Sequence, residues 1–86
     1  MDIFAKTIQT KPFMYFGVEL QIPVNHFSVA TDGDGTIHSF PKMFPKFNQE
    51  FSEWESNLGA GRIVVGNVTD ATPDFAYNSW RTAEDT

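Results

Sequence analysis

The stretch Asn25–Pro41, NHFSVATDGDGTIHSFP, decides how this chain is read. Phe27 and Val29 alternate with Ser28 and Ala30 on the way in, and Ile37 and Phe40 carry the chain out past Asp32-Gly33-Asp34-Gly35. Alternation with a period of two on both sides of an Asp/Gly cluster is the strongest short-range signal for a β-hairpin. The two glycines supply the positive φ values that such turns demand. With an even-length loop inside Asp32–Gly35, residues of opposite parity share a face. Phe27, Val29 and Thr31 are then expected beside Thr36, His38 and Phe40 as the core face of a hairpin over 26–40.

Working upstream, Phe16, Val18, Leu20 and Ile22 alternate with Gly17, Glu19 and Gln21, so 13–22 reads as one half-buried strand stopped by Pro23. Ile3, Phe4, Ala5 and Ile8 suggest a short edge strand in 1–11, bounded by Pro12. Downstream, Pro41 and Pro45 close the hairpin and 41–46 is a connector. Phe47, Phe51, Trp54 and Leu58 then recur at i, i+4, i+7 and i+11, which predicts an amphipathic helix over 47–58. Glu50, Glu53 and Glu55 decorate its other faces and Gly59 is placed to end it. Arg62–Val68, RIVVGNV, is a strand by its β-branched content. The expected fold is α+β: a small antiparallel sheet of three to five strands with the 47–58 helix on one face. Residues 1–80 form one domain, and the acidic end 81–86 is expected to fray.

Eighty-six residues make a small domain, and with no cysteine it has neither disulfides nor thiolate metal sites to stabilise it. Nine Phe, two Trp and two Tyr compensate, since each buried ring removes roughly 150–250 Å² from water. No apolar run approaches the ~20 residues of a membrane-spanning helix, and the first residues lack the basic and apolar segments of a signal peptide. The expectation is a soluble protein acting inside a cell. Its net charge of −5 is unevenly placed. Residues 1–46 balance four acids against four lysines, whereas 47–86 set seven acids against Arg62 and Arg81. An acidic half argues against direct nucleic-acid binding and suits docking onto a basic patch of a partner protein.

Among possible sites, Asp32-Gly33-Asp34-Gly35 resembles the middle of an EF-hand loop, with Asp32 and Asp34 as the third and fifth ligands. The first ligand position is Ala30 and the twelfth is Pro41, neither of which coordinates, so a plain turn is the better reading and a weak cation site the lesser one. His26 and His38 have no third ligand at metal spacing. No serine sits in a nucleophile elbow, and no pair of carboxylates is singled out for acid–base work. The chain is therefore expected to be neither an enzyme nor the holder of a cofactor. Binding residues are sought instead among exposed acids and aromatics: Glu50, Glu53, Glu55, Asp70, Asp74, Tyr77 and Trp80.

The strings Phe16-Gly17-x-Glu19-Leu20-x-Ile22-Pro23 and Val29-Ala30-Thr31-Asp32-x-x-Gly35-x-Ile37-x-Ser39-Phe40, followed by Pro45, resemble a class of short accessory proteins of tailed bacteriophages. That class reads FGxxLxIP, then ATDxxGxI with an aromatic close behind and a tryptophan further on, here Trp54 or Trp80. The resemblance spans about residues 15–54 and carries over no functional residue. It implies a phage accessory protein in the cytoplasm of an infected bacterium, one that binds and inhibits a host protein such as a defence complex or a nucleic-acid enzyme. Two means are open: steric blocking, or acidic mimicry of nucleic acid. The alternative is a homo-oligomeric structural or assembly component that pairs through an exposed strand edge or Trp80.

Overall fold

A computed structural model describes residues 9–41, 44–55 and 61–82. In chain order they form β1 (Thr10–Tyr15), β2 (Val18–Pro23), β3 (His26–Thr31), β4 (Thr36–Pro41), β5 (Lys46–Asn48), β6 (Glu53–Glu55), β7 (Ile63–Asn67), α1 (Pro73–Tyr77) and β8 (Arg81–Thr82). The α+β class holds in its coarse form, a mostly antiparallel β protein with one short helix. The count differs: eight strands among the described residues, in a central four-stranded sheet ordered β7-β4-β3-β8 and two separate ribbons, β1-β2 and β5-β6.

The hairpin at the centre is as the sequence indicates, but its register is not. Gly35 N–H donates to Asp32 O (2.9 Å) and Asp32 N–H to Thr36 O (2.9 Å), with Gly35 at φ +94°. The loop is thus three residues long, Gly33 to Gly35, with glycine at its left-handed position. An odd loop pairs residues of like parity: Thr31 with Ile37, Ala30 with His38, Val29 with Ser39 and Ser28 with Phe40. Phe27 drops out at a bulge before His26 pairs with Pro41. The face expected to hold Val29 with His38 and Phe40 is therefore split between the two sides of the sheet. Both sides are buried: Val29 and Ile37 join one apolar cluster, and Ala30 and Phe40 join the other.

The first cluster is closed by the β1-β2 ribbon through Phe13, Tyr15 and Ile22. Residues 13–22 are not one strand, because the chain reverses at Phe16 (φ +49°) and Gly17 (φ +80°). Two successive positive φ values in a two-residue loop make a type I′ turn, whose twist matches that of its strands. From Tyr15↔Val18 the pairing alternates so that Pro12, opposite Gln21, falls where no ladder donor is needed. The second cluster is closed by the β5-β6 ribbon through Trp54, with Phe47 and Trp80 at its margin.

That ribbon occupies the segment expected to be helical. The helix predicted over 47–58 is replaced by β5, a four-residue turn and β6, and 56–60 lie outside the described residues. Asn48 accounts for the change locally: its side-chain oxygen accepts from the backbone of Glu50 (2.9 Å) and Phe51 (3.3 Å), holding a turn in place of a helical ladder. Ser52 completes the reversal at φ +51°. The predicted 62–68 strand is β7. At the C-terminal end, Arg81 and Thr82 pair with Val29 and Ser28, so the first two residues of the end expected to fray are strand, and 83–86 lie outside the described residues. The edge strand expected within 1–11 falls mostly outside them too, with β1 beginning at Thr10.

Candidate functional site

Trp54 is the joint from which the site is built. Its backbone N–H donates to the Asp32 carboxylate (2.8 Å) and its indole Nε1–H to the Ala76 carbonyl (2.9 Å). Arg62 donates to its carbonyl (3.1 Å). One residue therefore fixes the β5-β6 ribbon to the β3-β4 turn through its backbone and to α1 through its indole. The backbone of Gly33 adds a second tie to Ser52.

α1 starts where Thr72 caps it, its hydroxyl accepting from Phe75 N–H (3.1 Å), with Pro73 in the first turn and Asp74 favourably placed near the positive end. Ala76 is its fully buried contact. Beyond it, Ser79 is wholly buried: Thr31 N–H donates to its hydroxyl (2.8 Å), which itself lies 2.7 Å from the Ala76 carbonyl. The Tyr15 and Thr31 hydroxyls are 2.6 Å apart, so β1, β3 and the helix are locked together and burial raises the Tyr15 pKa.

Between ribbon and helix opens a cleft of about 430 Å³ lined by Phe47, Gln49, Ser52, Pro73, Asp74 and Tyr77. The Phe47 and Tyr77 rings meet edge to face at 5.5 Å, and Phe47 meets Trp54 in the same way at 5.3 Å. Tyr77 remains 52% exposed. The cleft thus offers aromatic walls that are already packed, one carboxylate, and an amide and a hydroxyl. Aromatic faces with a carboxylate are complementary to a cationic side chain, by attraction to the ring quadrupole and by ion pairing.

The seven residues picked out in the sequence divide among different surfaces. Asp74 and Tyr77 line the cleft, and exposed Glu50 stands in the turn that forms its rim. Glu53 and Glu55 pair with Asn48 and Lys46, on the ribbon face opposite Phe47 and Trp54. Asp70 is exposed in the turn after β7, at φ +59°. Trp80 packs against the Trp54 cluster and lies 6.1 Å from the Phe44 ring, so it belongs to the interior more than to a contact surface. Phe47, Gln49 and Ser52 were missed because the 47–58 helix reading scattered them, and Pro73 because no helix was expected at 73–77. Thr72-Pro73-Asp74, a cap followed by proline and an acid, was the overlooked signal for α1.

The remaining polar residues of interest face inward. The Asp32 and His38 side chains approach to 3.3 Å inside the core, close enough for charge interaction but without hydrogen-bond alignment. Burial pushes Asp32 up and His38 down from their ordinary values, each partly offset by the other. Asp34 is exposed and accepts from Thr36 N–H (2.9 Å), which holds its carboxyl below the usual range. No group of three or more His, Cys, Asp or Glu able to hold a metal exists among the described residues. Ser39 Oγ lies 2.6 Å from His26 Nδ1, but Ser39 is fully buried and the contact is closed to a substrate. In comparisons with family models, curated proteins and solved structures, none matches this chain.

Proposed function

We propose that the protein is a non-enzymatic binding module that docks on a partner protein through the cleft between the β5-β6 ribbon and α1. The observation that carries this reading is the joining of Asp74 to the Phe47–Tyr77 ring pair in one open cleft on the acidic half of the chain. A lysine or arginine of the partner fills it, and Glu50 at the rim adds to the attraction. The resemblance to short phage proteins supports a bacterial host protein as that partner and its inhibition as the outcome.

Of the two means of inhibition, steric blocking is better supported than nucleic-acid mimicry. A mimic needs its carboxylates in a phosphate-like row, whereas Glu53 and Glu55 lie across the ribbon from the cleft and Asp70 stands in the turn after β7. Pull-down from bacterial lysate with wild type, Asp74→Asn and Tyr77→Ala tests the site. Capture of one stoichiometric host protein, lost in both variants while their circular dichroism is unchanged, is the expected result. Equal capture by all three removes the cleft from the interface.

A further inference from the structure

We infer that a second cleft, beside the β1-β2 turn, binds a small amphipathic carboxylate. The ligand is an acyl or aryl acid whose apolar part lies between Phe16, Leu20 and Phe75 and whose carboxylate meets Arg81. This cleft shares no lining residue with the one between the β5-β6 ribbon and α1, and the inference is independent of the partner proposed there.

The β1-β2 ribbon closes the first core cluster with Phe13, Tyr15 and Ile22, but its turn end stands off the sheet. By alternation Val18 and Leu20 share the face of Ile22, yet Val18 is 60% exposed and Leu20 half-buried. Between them, Ile37 and Gly66 of the central sheet, and Phe75 of α1 lies a cleft of about 390 Å³. Gly66 keeps its floor free of a side chain: a Cβ there would stand 3.2 Å from Ile37 Cδ1 and 3.8 Å from Leu20 Cδ2. A glycine inside a strand often marks a place that another group approaches closely. Phe16 and Phe75, with ring centroids 5.1 Å apart, form one wall.

Size and charge select the occupant. A helix about 10–12 Å across is too wide for such a space, and an added strand binds along a backbone edge, not among side chains drawn from β1, β2, β4, β7 and α1. The volume is that of a small-molecule site. No residue lining it is charged, and Glu19 lies on the opposite face of β2 from Val18 and Leu20. Against the Phe16 wall, however, stands Arg81, its guanidinium carbon 4.7 Å from the ring centroid. Among the described residues no carboxylate pairs with Arg81. Its Nη1 donates to the Asn78 and Trp80 carbonyls (2.8 Å each), which leaves Nε and Nη2 to meet a carboxylate. In a chain of net charge −5, an apolar cleft beside an unpaired cation favours an anion with an apolar body.

Amide NMR titration of the full chain with octanoate, octanol and octylammonium tests this. Octanoate is expected to shift residues 16–20 and 66–68 and to bind about tenfold more tightly than octanol, the gain from a charge-assisted hydrogen bond, with octylammonium the weakest. Arg81→Gln should bring octanoate down to the affinity of octanol and leave octanol unchanged, and Val18→Asp, on the exposed wall, should weaken both. Shifts confined to other residues, equal affinity of wild type for octanoate and octanol, or undiminished octanoate binding by Arg81→Gln overturns the inference. Should Arg81→Gln fail to fold, the ranking of the three probes on wild type still decides.

Discussion

The β3-β4 hairpin and the β5-β6 ribbon are both two strands around a turn, yet one announces itself in sequence and the other reads as a helix. In β3-β4 two six-residue strands flank the turn and the reversal falls on Asp and Gly, residues that favour turns. In β5-β6 the strands are three residues each, too short to show alternation. Phe47 and Trp54 stand seven apart, a spacing that two helical turns and a four-residue loop satisfy equally well. What separates the cases is where the groups find partners. Asn48 takes the Glu50 and Phe51 amides, and Asp32, twenty-two residues upstream, takes the Trp54 amide. A helical pattern in a short window is therefore decided by side chains outside it.

The largest effect that could break this comparison comes from Trp54 and Phe51. A helix puts both on its buried face; the ribbon buries Trp54 and leaves Phe51 66% exposed. Trp54→Ala is expected to cost about 3–5 kcal/mol in urea unfolding, and Phe51→Ala no more than about 0.5 kcal/mol, as an exposed substitution. Comparable losses at the two sites would restore the helix. Next in size is Gly35→Ala. Its positive φ and the Val68 carbonyl where a Cβ would sit predict a loss of about 2–3 kcal/mol, measured by the shift in denaturant midpoint. Gly17→Ala, also at positive φ but in open space, should cost less, and the difference measures how tightly β7 closes on the central turn.

Asp32→Ala should follow at about 1–2 kcal/mol, since it orphans the Trp54 amide. It should also shift Trp54 fluorescence, whereas Asp34→Ala should not. The smallest effect is that of pH. Burial lowers the pKa of both His26 and His38 from 6.5, so the unfolded chain takes up protons first and stability falls as pH drops below about 6.5. Asp32, shifted upward by burial, works the other way: it binds its proton more readily when folded, and its contribution is lost as pH rises above its ordinary range. A melting temperature that declines from pH 7.5 toward 5.5, and declines less in His38→Gln, is the expected profile. A flat one would mean the histidines are not sealed in the core.

Much of the frame was legible where local chemistry and tertiary context agree: the 26–40 hairpin, the β-branched strand before Asn67, an aromatic core. The register of the hairpin was not, because loop parity depends on one glycine adopting φ +94° against the Val68 carbonyl. Phe16-Gly17 hid a turn because a bulky aromatic seldom takes a left-handed conformation. Here Phe16 is held by Phe75 at 5.1 Å and by the Arg81 guanidinium 4.7 Å from its ring centroid. Of the site, Asp74 and Tyr77 were found by type alone. Their cleft partner Phe47 was assigned to a helix core, since nothing within 47–58 reveals that Asp32 and Ala76 will claim Trp54.

The Phe47–Tyr77 cleft exists only if residues 46–55 form a ribbon keyed by Trp54. Proton–proton NMR contacts in the folded chain test that most directly. Cross-strand contacts joining Phe47 to Trp54 and Lys46 to Glu55, with extended-backbone couplings at 46–48 and 53–55, are the expected result. Contacts between residues three and four apart running through 47–55 would contradict the ribbon, and with it the cleft and the function proposed for it.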